Sequence, residues 1–243
     1  LGGDFFLDAD GTLAWGASSY VKKMIINYEV MFGEKPKEYS SPIDEKDHPE
    51  IDTSEELDEM GIKRYQSLIG TLQWLVTLGR FDIHLSVASM SSFRSAPRQG
   101  HLDRLKRIYG YVKRNPDGAI RFRVNIPDHE SQGVPVRQDW SSTVYGNTKE
   151  ELPPDMPEPK GKALRTTTYQ DANLYHSWVT GRAMSGIIHL LNQTPIFWFC
   201  KKQQSVATAT YGSEFMVAHQ ATEQIMDLRY TLRMMGVPLY GPS

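Results

Sequence analysis

Two hundred and forty-three residues with 40 % hydrophobic content are enough for a sizeable core or for two small domains, which excludes a disordered or fibrous chain. Lys plus Arg total 27 against 29 Asp plus Glu, so the net charge of −2 gives no whole-chain attraction to nucleic acid or an anionic membrane, and any basic surface must be local. The single cysteine, Cys200, excludes an internal disulfide and an all-cysteine zinc site and fits a reducing compartment, and no apolar run approaches the roughly 18 residues of a membrane span.

In chain order, Phe5-Phe6-Leu7 and Leu13-Ala14-Trp15 flank Asp10-Gly11, a pair suited to the positive φ of a tight turn, and predict a hairpin. A helix follows, with Ser18 or Ser19 to cap it, Val21, Ile25, Tyr28 and Phe32 at helical spacing, and Gly33 as a left-handed C-cap. From Glu34 to Glu59 the chain is polar and acidic, with Pro36, Pro42 and Pro49, which reads as a surface loop. Residues 64 to 115 carry three helical patterns in a row: Leu68, Leu72 and Leu75, then Ile83, Val87 and Met90, then Leu102, Leu105, Tyr109 and Val112 after Pro97. In the last of these Arg104, Lys106, Arg107, Lys113 and Arg114 lie off the apolar stripe, giving a basic face that reads equally as a solvated surface or a phosphate footprint.

Between Ile126 and Arg165 the prolines 127, 135, 153, 154, 157 and 159 accompany a run of acids from Glu150 to Glu158, which predicts a linker. Strands come next: Thr166-Thr167-Thr168-Tyr169, then Gly186 to Leu191, a turn at Asn192-Gln193, and Ile196 to Cys200. A helix from near Ser213 carries Phe215, Ala218, Ala221, Ile225, Leu228, Leu232 and Met235 and stops at Gly236-Val237-Pro238. The expected organisation is α+β, with a hairpin-and-helices unit over 1–125, a linker over 126–162 and a small α/β unit over 163–243.

Two carboxylates stand out in the second unit. Asp171 ends its first strand and Glu214 opens its helix, so both can project to one point at the sheet margin. Like charges about 4 to 6 Å apart then ask for a cation, for which Mg²⁺ is the natural choice. Glu214 is equally a favourable acid at a helix N-terminus, and Asp171 a strand-end turn residue.

The run Tyr169-Gln170-Asp171-Ala172-Asn173, Ser185-Gly186 entering a strand, Pro195-Ile196-Phe197-Trp198 before Lys201-Lys202-Gln203, and Ser213-Glu214-Phe215-Met216-Val217-Ala218 resembles the ribonuclease H domain of Ty1/copia-type retrotransposon polyproteins. The first unit resembles the stretch that follows the reverse transcriptase palm in the same polyproteins. Its residues are Tyr65-Gln66-Ser67-Leu68-Ile69-Gly70-Thr71-Leu72, Arg80-Phe81-Asp82-Ile83, Pro97 with His101, and Lys106-Arg107-Ile108-Tyr109-Gly110-Tyr111-Val112-Lys113.

The resemblance implies that Asp171 and Glu214 stand at the first Asp and the Glu of the family's metal-binding carboxylates. In a complete parent these hold Mg²⁺ or Mn²⁺ for two-metal cleavage of the RNA strand of an RNA·DNA hybrid. It also implies as partners a hybrid or nucleic-acid backbone and the remainder of the polyprotein, with no membrane, inside the cell in cytoplasmic virus-like particles or the nucleus. Asn173 stands where the family often has a second Asp. The start at Leu1 without an initiator Met, and the end at Tyr240-Gly241-Pro242-Ser243 before the family's next acid, lead us to expect a truncated fragment with weak or absent metal binding and no full activity of its own.

The face with Arg104, Arg107 and Arg114, joined by Lys201 and Lys202, is the expected phosphate contact. Trp198 alternates with Ile196 and Cys200 and is expected in the core rather than as a stacking platform. A rival is Phe5-Phe6-Leu7-Asp8-Ala9-Asp10-Gly11-Thr12-Leu13, which resembles the first motif of haloacid-dehalogenase-type phosphatases, with Asp8 as nucleophile and Asp10 as acid/base. That fold needs repeated βα alternation, whereas 64 to 115 is helix after helix. An EF-hand fails because Ala17 stands where the bidentate Glu belongs. An inert structural remnant is the third reading.

Overall fold

A computed structural model describes residues 2–44, 47–127, 141–144, 146 and 150–241. Among the described residues the fold is α+β, with five α-helices and six strands in two antiparallel three-stranded sheets. None of these helices is long and apolar enough to cross a membrane.

The first sheet holds β1 (Asp4–Leu7), β2 (Leu13–Gly16) and β3 (Ala119–Arg121) in that order. Its hairpin closes as the residues predict: Gly11 takes φ 79°, its N–H donates to the Asp8 carbonyl, and Asp10 Oδ1 accepts from the Thr12 amide at 2.9 Å. Asp8 meets the Arg121 guanidinium from β3. Both acids of the rival phosphatase motif are thus engaged in holding a turn, and β1 pairs antiparallel with β2 rather than entering a parallel sheet.

Four helices follow: α1 (Ser18–Phe32), α2 (Glu59–Thr77), α3 (His84–Ser91) and α4 (Gln99–Arg114). Gly33 caps α1 at φ 73°, donating to the Glu29 carbonyl. The N-cap of α1 is Ala17, however, and Ser18 instead reaches Asp117 at 3.2 Å across the unit, a tertiary bond that outcompetes the local one. Asp58 caps α2 by accepting from Gly61 N–H at 2.7 Å. The apolar stripes meet where Tyr65, Ile69, Leu72, Leu75, Ile83, Leu105, Ile108 and Tyr109 are fully buried.

The second sheet is β4 (Thr166–Asn173), β5 (Met184–Leu191) and β6 (Thr194–Lys202), joined by a tight turn with Asn192 at φ 53°. Helix α5 (Thr210–Met234) covers one face. Ala172 and Ile187 pack there against Val217 and Ala221, Arg229 donates to Thr166 Oγ1 at 2.7 Å, and His189 links Thr168 to Gln224. Strand alternation therefore turns Tyr169, Asp171 and Asn173 to the opposite face. That face looks at the helical unit: the Trp198 indole N–H donates to the Val76 carbonyl at 3.1 Å, and its ring lies 5.6 Å from that of Phe81. Trp198 is partly buried, and the core it packs against is that of the other unit.

The two units are thus packed together rather than merely joined. Of the expected linker, residues 128–140, 145 and 147–149 lie outside the described residues. Glu150 is held by Arg229 and Arg233 at 2.7 and 2.6 Å, and these guanidiniums, Arg229 foremost, outweigh burial and keep its carboxyl at about 2.

Candidate nucleic-acid interface

The strand register decides what the two candidate carboxylates can do. Asp171 pairs across with Gly186, which pairs with Cys200, and this row belongs to the face turned toward the helical unit. Glu214 belongs to α5, on the other face. β4 runs on as a strand to Asn173, so Asp171 lies two residues inside its end, and its neighbour Ala172 is the residue that packs on α5. Among the described residues no group of three His, Cys, Asp or Glu side chains is placed to hold a metal ion. Two carboxylates, Asp171 and Glu214, are fewer ligands than a pair of Mg²⁺ ions requires.

The basic face of α4 meets acids of its own chain. Residues 34–44 and 47–58, an acidic stretch, lie along the helix as a strap in antiparallel order: Glu38 meets Lys113 at 3.4 Å, Asp44 meets Arg107 at 3.5 Å, and Asp47 and Asp52 each meet Arg104 at 2.6 Å. Glu56 meets Arg98 at 2.9 Å. Arg104 is spent on two carboxylates of its own chain and is not available to a phosphate, while Arg107 shares its charge with Asp44 and Arg114 is exposed.

Burial alone would raise the Asp52 carboxyl, but the Ser54 hydroxyl and the Arg104 guanidinium outweigh it and hold the group at about 2. The unfolded value is about 4. A folded value below the unfolded one means that the stability Asp52 contributes is present above about pH 4 and lost as pH falls toward 2. Thermal melts from neutral to about pH 2.5 should show a shallower acid decline for Asp52→Asn than for wild type. Parallel declines would remove Asp52 as the source.

A groove of about 1000 Å³ lies between the units, walled by α2 and α3 on one side and β5 and β6 on the other. Its cations are Arg94, Lys201 and Lys202, and no carboxylate appears among the described residues that line it. A hollow of about 460 Å³ continues it along α2, sharing Gln73 and Arg94 and adding Gln66 and Ser95. Gln66 and Gln73 are positioned by side-chain bonds to the Arg94 carbonyl and Ser91 hydroxyl, both at 3.1 Å. Burial pushes the Cys200 thiol up to about 12, so it stays protonated and is no nucleophile, and burial likewise lowers the His84 imidazole below its ordinary value. Amides, hydroxyls and cations without acids suit phosphate oxygens better than a metal or covalent chemistry. Lys201 and Lys202 were legible in the sequence. Arg94 was not, because it lies in a loop after α3 and gains its meaning only from facing β6.

The "Retrovirus-related Pol polyprotein from transposon RE1" of Arabidopsis thaliana is 24 % identical over 178 residues, covering 73 % of this chain. A transposon Ty5-1 protein of Saccharomyces cerevisiae is 21 % identical over 229 residues, covering 93 % of this chain and 60 % of its own length. The chain is retrotransposon-related. It spans only 10 % of the RE1 polyprotein, so the activities of that whole protein do not transfer with the match. A secreted RxLR effector of Plasmopara viticola is 24 % identical over 169 residues, covering 70 % of this chain and 94 % of the effector. No family model and no solved structure matches the chain.

Proposed function

We propose that this chain derives from the reverse transcriptase and ribonuclease H region of a Ty1/copia-type polyprotein and holds an RNA·DNA hybrid by its phosphates, without cutting it. The observation that carries the reading is the meeting of Arg94 from one unit with Lys201 and Lys202 from the other in a groove whose described lining has no acid, in a chain of net charge −2. Each cation that meets a phosphate releases counter-ions, so binding should weaken steeply with salt. The two units supply opposite walls, and the Trp198 contact fixes their spacing.

The test is fluorescence anisotropy with a labelled hybrid across a salt series. Wild type should bind at low salt. The triple variant Arg94→Ala, Lys201→Ala, Lys202→Ala should bind at least tenfold more weakly, with a log–log salt slope shallower by about two to three. With Mg²⁺ added the RNA strand should be recovered intact, since among the described residues no group of three His, Cys, Asp or Glu side chains joins Asp171 and Glu214 to hold the ions. No wild-type binding at low salt would leave the inert remnant as the reading, and Mg²⁺-dependent cleavage lost in Asp171→Asn would restore the nuclease.

A further inference from the structure

The strap and α4 meet in two tiers. In the inner tier Arg104 grips Asp47 and Asp52, and the helix carries no side chain at Gly100 or Gly110. A Cβ at Gly100 would fall 2.0 Å from an Asp52 carboxylate oxygen, and one at Gly110 would fall 1.8 Å from the Lys37 carbonyl oxygen. Strap and helix are therefore in direct contact there, and nothing can replace this tier without rebuilding the fold.

In the outer tier the cations are fixed and the acids are loose. Lys113 Nζ donates to the Pro36 carbonyl at 3.0 Å, and Arg107 Nε donates to the Ser41 carbonyl at 3.1 Å with its guanidinium 5.0 Å over the Tyr39 ring. Lys106 Nζ stands 4.6 Å over the Phe32 ring. Their acids hold on less closely: Glu38 is 3.4 Å from Lys113 and 53 % exposed, and Glu34 is 3.9 Å from Lys106 and 67 % exposed. Exposed pairs at such distances contribute little each and give way to a better anion. Asp44, 61 % exposed, stands 3.5 Å from Arg107 beside a hollow of about 440 Å³ that Tyr39, Asp47 and Asp103 also border, and exposed Arg114 extends the row.

We infer that Lys106, Arg107, Lys113 and Arg114 form a second phosphate-binding face that Glu34 and Glu38 hold in check, a polyphosphate backbone displacing these two carboxylates while the Arg104 clamp stays shut. The inference rests on the nucleic-acid reading above and names a regulation of it. A tethered acid competes at high effective concentration, so removing it should strengthen binding and increase the number of counter-ions released.

The double variant Glu34→Gln, Glu38→Gln is compared with wild type and with a control of equal charge change, Glu151→Gln, Asp155→Asn, whose side chains are exposed and remote from α4 in the sequence. With the same labelled RNA·DNA hybrid, the strap variant should bind about fivefold more tightly at low salt, with a salt slope steeper by about two, at an unchanged melting temperature. Adding Lys106→Gln and Lys113→Gln to it should cancel the gain. The control should move affinity by less than about twofold, the size of a general charge effect. Wild-type binding that the strap variant does not improve beyond the control overturns this inference and leaves the groove reading standing. Absence of hybrid binding in wild type and strap variant alike overturns both.

Discussion

Arg104→Ala is expected to lower the unfolding free energy by about 3 kcal/mol, because it strands two carboxylates that folding has drawn out of water. The side chains of Asp47 and Asp52 keep only 18 % and 10 % of their exposure, and each has a guanidinium nitrogen at 2.6 Å. Breaking a well-buried pair costs about 3 to 5 kcal/mol, and the 23 % exposure of Arg104 places this case at the lower end. Arg104→Lys should recover only part of the loss, since an ammonium cannot hold two carboxylates with the geometry of a guanidinium fork. Urea unfolding measures both. A loss below about 1 kcal/mol for the alanine variant would mean that the strap is held by its backbone contacts alone.

The same substitution should be felt in the second unit. The strap passes from Asp47 to Asp52 through a single helical turn at Pro49–Ile51, and Glu50 on it accepts the Trp178 amide N–H at 2.7 Å while the His48 ring lies 3.7 Å from the Trp178 ring. Loosening the clamp frees one of the contacts between the units, so Trp178 fluorescence should change along with strap stability.

The second large effect is expected at Trp198. Its indole bridges from β6 to the Val76 carbonyl and packs on the helical core, so Trp198→Ala removes both a hydrogen bond and an aromatic contact across the junction. The side chain is only partly buried, which sets the cost at about 2 to 3 kcal/mol, below that of a fully buried aromatic. The second unit, with three of the six strands and α5, is small, its own cluster being Ala172, Ile187, Val217 and Ala221. It should therefore melt first once uncoupled. Calorimetry should show one transition in wild type and two in the variant. A single transition in the variant would mean that other contacts, such as those of Asn192 with Val124 and Thr194 with Arg123, suffice to couple the units.

How far the residues alone reach is clearest at particular elements. The hairpin around Gly11, the capping of α1 by Gly33, the turn at Asn192 and the span of α5 to within three residues at its start were all readable. Each depends on neighbours a few positions away: a positive φ that glycine or asparagine tolerates, or an apolar repeat at three and four. The capping of α1 at its other end was not readable, because the Ser18 hydroxyl prefers Asp117, which lies 99 positions away in the chain.

The candidate site divides along the same line. Asp171 and Glu214 were identifiable as carboxylates near one end of a small sheet, yet the face Asp171 leaves is set by strand parity, and Ala172 holds the position facing the helix. The basic residues of α4 were identifiable as a charged face, but the acids that meet them, Asp47 and Asp52 at Arg104 and Glu38 at Lys113, lie far earlier in the chain. Periodicity in the sequence determined which segments form helices and strands and which side of each is apolar, because those choices are made by backbone sterics and burial within a few residues. Which charges are left for a ligand was decided only by the tertiary structure, because Coulomb attraction depends on distance in space, and folding brought the strap to α4 and Arg94 to β6.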